Sequence, residues 1–162
     1  MQYIVYVDGA CSNNGNLDAQ ASGSFAVYRL DKPSRISTEL HDRLLMEKPI
    51  CHESRFHIPA NNDCRPTNNM AEASSLHTAI AWCLDNNVLI PGNDLHICMD
   101  SQLVLNQFAG LYKTNNRRLR EIYTGIYAML RRKSTKHDED LEKCLHLHWI
   151  PGDVMKRSII GH

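Results

Sequence analysis

The 162-residue chain has no apolar run approaching the ~20 residues that span a membrane, and it opens directly on strand-like sequence. No membrane role is expected, and the location is expected to be cytoplasmic. It also has no Cys-x-x-Cys pair. Its six cysteines, Cys11, Cys51, Cys64, Cys83, Cys98 and Cys144, are scattered, which argues for reduced thiols over a disulfide framework or a ribbon-type zinc site. There is no internal repeat and no low-complexity tract. Net charge is zero with a pI near 7.1, so the chain as a whole is not a strongly basic nucleic-acid binder. What is present is 43% hydrophobic residues, enough for one domain over residues 1–162 and too short a chain for two ordinary ones. A monomer is expected.

The zero average hides an uneven distribution. Between Lys113 and Lys136 eight basic residues (Lys113, Arg117, Arg118, Arg120, Arg131, Arg132, Lys133 and Lys136) face one acid, Glu121, for a local charge of +7. Such a run is either a solvated helix face or a phosphate-attracting patch.

Periodicity orders the elements. "QYIVYVDG" reads as a strand running into an Asp-Gly turn, with Ile4, Tyr6 and Asp8 on one face, and "GSFAVYRL" follows as its hairpin partner. Residues 31–64 are interrupted by Pro33, Pro49 and Pro59 and are expected to hold one more strand. Met70, Ala73, Leu76, Ile80, Cys83 and Leu84 predict a helix over 69–86, capped by Thr67 or Asn68. "LHICMD" is a strand with His96, Cys98 and Asp100 on one face, "SQLVLNQF" a short helix, and Leu119, Ile122, Tyr123, Ile126, Tyr127 and Leu130 the stripe of a longer helix capped by Asn116. "LHLHWI" closes as a strand. The expected class is α/β, with a mixed five-stranded sheet and helices packed on it.

Three acids fall at comparable places: Asp8 and Asp100 at strand ends, and Glu72 in the first turn of a helix. Carboxylates converging from such positions can hold a hard cation, because Mg²⁺ and Mn²⁺ prefer oxygen ligands. Each acid also has an ordinary use, as a turn residue, a helix cap or a complement to the helix dipole. A second cluster, Cys51, His52, His57 and Cys64, matches no standard zinc spacing and is read as ordinary surface and core. His146 and His148 are read as packing or hydrogen-bonding residues and Trp149 as core.

"YVDGACSNNG", "RPTNNMAEAS" and "MDSQ", in this order, resemble ribonuclease H of the type 1 family, from Met1 to Trp149 with residues 31–64 carrying little of the likeness. The resemblance implies a ribonuclease H-like fold and makes Asp8, Glu72 and Asp100 the first three metal-binding carboxylates. It implies two Mg²⁺ ions, with Mn²⁺ as a substitute, that activate water for in-line attack on the RNA strand of an RNA/DNA hybrid. The products would carry 5′-phosphate and 3′-hydroxyl ends. Cys11, Asn14, Asn68, Asn69 and Gln102 match the minor-groove contacts that read the ribose 2′-hydroxyl. Arg65, Thr67 and Asn116 match the pocket for a DNA-strand phosphate. Some family members insert a basic helix after the "DSQ" helix. Here Phe108 to Asn115 leave only a short connection, so affinity would rest on Arg117, Arg118 and Arg120 or on a protein partner that the sequence does not identify.

The end, "HWIPGDVMKRSIIGH", departs from the family pattern. Asp153 stands where relatives often carry a loop histidine, and His162 is a second candidate for that residue. The helix bearing the fourth acid would begin beyond His162, so the domain is expected to lack its C-terminal helix. Asp153 replacing that acid is weighed against a solvent-facing turn role. Reduced turnover is expected if the fourth carboxylate is absent. Two competing readings stand beside the nuclease: a catalytically weakened nucleic-acid-binding module, and a DNA nuclease or strand transferase of the same fold.

Overall fold

The computed structural model describes every residue except 15, 17, 60–65, 135–139 and 161–162. Strands β1 (Gln2–Ser12), β2 (Gln20–Leu30), β3 (Cys51–Ile58), β4 (Asp94–Met99) and β5 (Leu145–Trp149) form one sheet in the order β3-β2-β1-β4-β5. The first three pair antiparallel, while β1, β4 and β5 run parallel. The expected mixed five-stranded sheet is therefore present. The strand expected within residues 31–64 is β3, an edge strand whose mostly exposed polar residues hide its alternation.

The even and odd positions of β1 divide two cores. Val5 and Val7 face a cluster built from α2 (Asn68–Asp85), α3 (Gln102–Phe108) and α4 (Arg117–Lys133), with Leu76, Ile80, Ile126 and Leu130 fully buried. Thr67, Ser101 and Asn116 cap these helices, each accepting from a backbone N–H three residues on. Ile4 and Tyr6 face a smaller cluster on the other side, covered by α1 (Thr38–Leu44) and α5 (Gly152–Arg157). Neither of these short helices is legible in the sequence. They exist because Leu40 and Leu44, and Val154 and Met155, find the second sheet face, and because Arg157 pairs with Asp42 at 2.7 Å across them.

A histidine ladder borders this second face. His96 Nδ1 lies 2.9 Å from His148 Nε2, His146 Nε2 lies 2.9 Å from Asp94 Oδ1, and the His96 and His146 rings stack at 4.9 Å. The expectation that His146 and His148 serve hydrogen bonding agrees with these contacts. Burial, then the neighbouring imidazoles, lower the pKa of His96 against the opposing charge of Asp94, and burial followed by His146 lowers that of His148. An imidazole depressed below its unfolded value near 6.5 contributes stability that is complete above that value and is lost as pH falls. Thermal unfolding followed by circular dichroism should therefore show Tm dropping as pH is lowered from about 7 to about 5. The drop should be shallower in His148→Gln; an identical slope in the variant would refute the ladder's role.

Candidate metal centre

Gly9 determines how near strand and helix come. A Cβ there would sit 2.4 Å from the Ala71 carbonyl carbon and 2.5 Å from the Glu72 nitrogen, so only glycine lets β1 lie against the α2 backbone at this point. That contact sets Asp8 beside Glu72. β4 runs parallel to β1 and delivers Asp100 at its end, immediately before the Ser101 cap of α3. One carboxylate oxygen from each of Asp8, Glu72 and Asp100 then lies within 4.8 Å of the others. Asp8 and Glu72 are buried and Asp100 is half-exposed, which opens the cluster to one side.

The electrostatics fit a site that could hold a cation. Burial, then the charges of Asp8 and Asp100 and a hydrogen bond with Asp8, push the Glu72 carboxyl up to about 10, opposed by the Gly9 N–H. Without a cation, burial and the neighbouring carboxylates favour the protonated form of Glu72. Its Oε2 is buried with no hydrogen-bond partner among the described residues. An orphaned, buried carboxylate oxygen in an all-oxygen donor set fits a hard divalent cation, which would supply both the missing partner and the missing charge.

The flanking residues form a staple. The Cys11 N–H donates to Asn68 Oδ1 at 3.0 Å, the Asn68 N–H donates to Asn14 Oδ1 at 2.8 Å, and the Cys11 thiol donates to the Pro66 carbonyl at 3.4 Å. The end of β1 and the start of α2 are thus tied side by side, with Asn14 and Asn68 exposed and Asn69 half-exposed. Gln102 is exposed as the first residue of α3. Thr67 and Asn116 both act as helix caps, their oxygens accepting from Met70 N–H at 3.3 Å and Leu119 N–H at 3.0 Å. Arg65 and His162 lie outside the described residues, as does Cys64 of the Cys51 cluster. Arg117 and Arg120 are exposed on α4 and Arg118 is half-buried; Glu121 pairs with Arg117 at 3.2 Å and with Arg118 at 3.8 Å.

Asp153 is exposed in the first turn of α5 and is not one of the acids in the cluster. The preceding residue borders the third acid: a Cβ on Gly152 would lie 3.7 Å from Asp100 Oδ2. Trp149 corrects the core assignment. It is 49% exposed, and its indole N–H donates to the Asp100 backbone carbonyl at 3.0 Å, pinning the strand end that carries the third acid. The sequence held one signal for this arrangement, the Asp-Gly pair in β1, and none for the indole contact, which joins residues 49 positions apart.

No protein-family model matches the chain, and no curated protein matches it. Solved structures do share its fold. Ribonuclease H1 from the halophilic archaeon Halobacterium salinarum NRC-1 superposes with a TM-score of 0.64 at 20% identity, covering 98% of this chain and 92% of that one. LC11 ribonuclease H1, solved in complex with an RNA/DNA hybrid, gives 0.63 at 19% identity over 92% and 85%. The N-terminal ribonuclease H domain of Rv2228c from Mycobacterium tuberculosis gives 0.61 at 18% over 93% and 88%. The fold is that of ribonuclease H, as the motifs implied.

Two substitutions separate the backbone contact from the charge. Glu72→Gln removes a carboxyl whose raised folded pKa costs stability progressively as pH rises from about 4.5 toward about 10. In EDTA at pH 7.5 this variant should melt higher than the parent, while Mg²⁺ or Mn²⁺ should raise Tm in the parent and little in the variant. Gly9→Ala should instead lose on the order of 1–3 kcal/mol by overpacking and lose the cation-induced Tm rise as well. Calorimetry with and without the cation checks both; an undiminished cation effect in either variant would remove these residues from the site.

Proposed function

We propose that this chain is a metal-dependent nuclease that hydrolyses the RNA strand of RNA/DNA hybrids, leaving 5′-phosphate and 3′-hydroxyl ends. The observation that carries the reading is the convergence of Asp8, Glu72 and Asp100 within 4.8 Å on a ribonuclease H fold. These three acids hold the cofactor, for which two Mg²⁺ ions are proposed, with Mn²⁺ as a substitute. When bound, such ions lower the pKa of a water nucleophile and offset charge on the leaving oxygen. Glu72 gives up its proton when the cation arrives, so cation affinity rises with pH.

The chain's own groups account for substrate choice. Asn14 and Asn68 spend their side-chain oxygens on the staple, which leaves the amide nitrogens as the ends available to a ribose 2′-hydroxyl. Cys11, Asn69 and Gln102 complete the proposed minor-groove strip. Thr67 and Asn116, with Arg65, are proposed for the DNA-strand phosphate, and Arg117, Arg118 and Arg120 for salt-dependent attraction. Asp153 is proposed to approach the site from α5 as a fourth acid or loop residue, and His162 is the other candidate. A soluble, monomeric, cytoplasmic enzyme fits this role; no helix among the described residues is long and apolar enough to cross a membrane.

One observation favours a second reading. The cluster comprises three acids among the described residues, so a binding module with weak turnover has the same geometry. A labelled RNA/DNA hybrid, the matching RNA duplex and the DNA duplex, each offered with Mg²⁺, Mn²⁺ or EDTA, distinguish the readings. Hybrid-only cleavage that EDTA stops and Asp8→Asn abolishes is the expected result. Binding without cleavage under either metal would establish the module instead, and cleavage of the DNA duplex would establish a DNA nuclease. In the same system, replacing Arg117 and Arg120 by Gln should weaken hybrid binding and reduce the slope of log K against log salt by about one for each phosphate that is no longer neutralised.

A further inference from the structure

A groove of about 400 Å³ lies between α2, α4 and the end of β3, away from the carboxylate cluster. Its walls include Phe56, Ile58 and Ile122, with Ser74, His77, Arg118 and the carboxylate of Glu121 among its polar groups. The size is within the range of small-ligand sites, and the mixture of flat apolar walls with a few polar groups suits a ring bearing a charged substituent.

Arg118 supplies the decisive feature. Its Nε is buried with no hydrogen-bond partner among the described residues. The nearest ionic contact runs from Nη1 to Glu121 Oε2 at 3.8 Å, too long for a hydrogen bond, and the other oxygen of Glu121 is taken by Arg117 at 3.2 Å. A buried guanidinium N–H with no acceptor is an expensive arrangement, and an oxyanion in the groove would relieve it once the partly exposed side chain turns that N–H outward. Burial lowers the pKa of His77, so its neutral ring can donate or accept a hydrogen bond without adding charge. Gly125 keeps the mouth open: a Cβ there would have no heavy atom nearer than His77 at 4.0 Å.

Position narrows the ligand. The two helices that wall the groove are those capped by Thr67 and Asn116. Ser74 lies seven residues past Thr67 along α2, about 10 Å at 1.5 Å per residue, or roughly three stacked nucleotides. We propose that the α2–α4 groove is a nucleotide subsite, in which the partly exposed Arg118 guanidinium binds a phosphate oxygen while Phe56 and Ile122 flank the base. This deepens the hybrid-cleavage reading and rests on it for the ligand class and for the source of the nucleotide, which is either the DNA strand beyond its gripped phosphate or a free mononucleotide.

The test is metal-free and does not use cleavage. The ¹⁵N-labelled protein in EDTA is titrated with dAMP, inorganic phosphate and deoxyadenosine, and the Arg118 Nε–H, His77 and Gly125 resonances are followed by NMR. dAMP should shift all three and bind at least tenfold more tightly than phosphate or deoxyadenosine. Arg118→Lys keeps the charge but removes the Nε–H, and should weaken dAMP about tenfold. Gly125→Leu adds bulk to the groove from a helical position whose Cβ would have no heavy atom nearer than His77 at 4.0 Å, and should abolish binding with Tm undiminished. An added hybrid that displaces dAMP assigns the subsite to the DNA strand, and one that binds alongside it assigns a free nucleotide; either supports the subsite. Absent shifts, equal affinity for dAMP and phosphate, or unweakened dAMP binding to Arg118→Lys would overturn it. Loss of hybrid cleavage with dAMP binding intact would count against the proposed function alone.

Discussion

The contact between Gly9 and the backbone at Ala71–Glu72 is the constraint on which the rest of the molecule depends. With no side chain at this point, β1 and α2 touch main chain to main chain, closer than any Cβ would permit. Asp8 and Glu72 are carried together by that approach, and the staple through Cys11, Asn14 and Asn68 holds it from one side. The hydrophobic cluster beneath α2 holds it from the other, with Leu76 and Ile80 fully buried. The energy that confines two carboxyl groups in a buried space thus comes from packing elsewhere. Glu72 records the cost as a pKa raised to about 10.

The two faces of the sheet carry different loads. The α2–α4 face is the larger core and positions the acids. Among the described residues the opposite face is covered by short α1 and α5 with Ile150 and Ile160, the two helices joined by an ion pair and bordered by interacting histidines. α5 nevertheless matters to the site, because Gly152 abuts Asp100 and Trp149 just before it holds the Asp100 carbonyl. The less robust side of the fold is therefore the side that supports the third acid.

Legibility in the sequence follows the strength of local signals. α4 is readable because its apolar stripe repeats along its whole length between charged residues, and α2 because Thr67 caps a continuous apolar periodicity. β3 is readable only as one strand somewhere within residues 31–64, since an edge strand with exposed polar residues has no buried face to fix its bounds. α1 and α5 are too short to be stable by themselves, and their two-residue apolar contacts acquire meaning only against the sheet. Trp149 is exposed where core was expected, for a related reason: alternation assigns a residue to a face, but whether another element covers that face depends on the fold.

The residue types already narrow what the site could hold: three acids on two strand ends and one helix start, with asparagines beside them, form an all-oxygen donor set suited to a hard cation. Periodicity also determined the order of β1, β2, α2, β4, α3, α4 and β5. Distances were decided only in three dimensions. The 4.8 Å spread of the carboxylates, the orphaned oxygen of Glu72 and the buried Nε of Arg118 each arise where separate elements meet. Local sequence determines what a side chain can do; only the packing of distant segments determines whether water, protein or ligand must satisfy it.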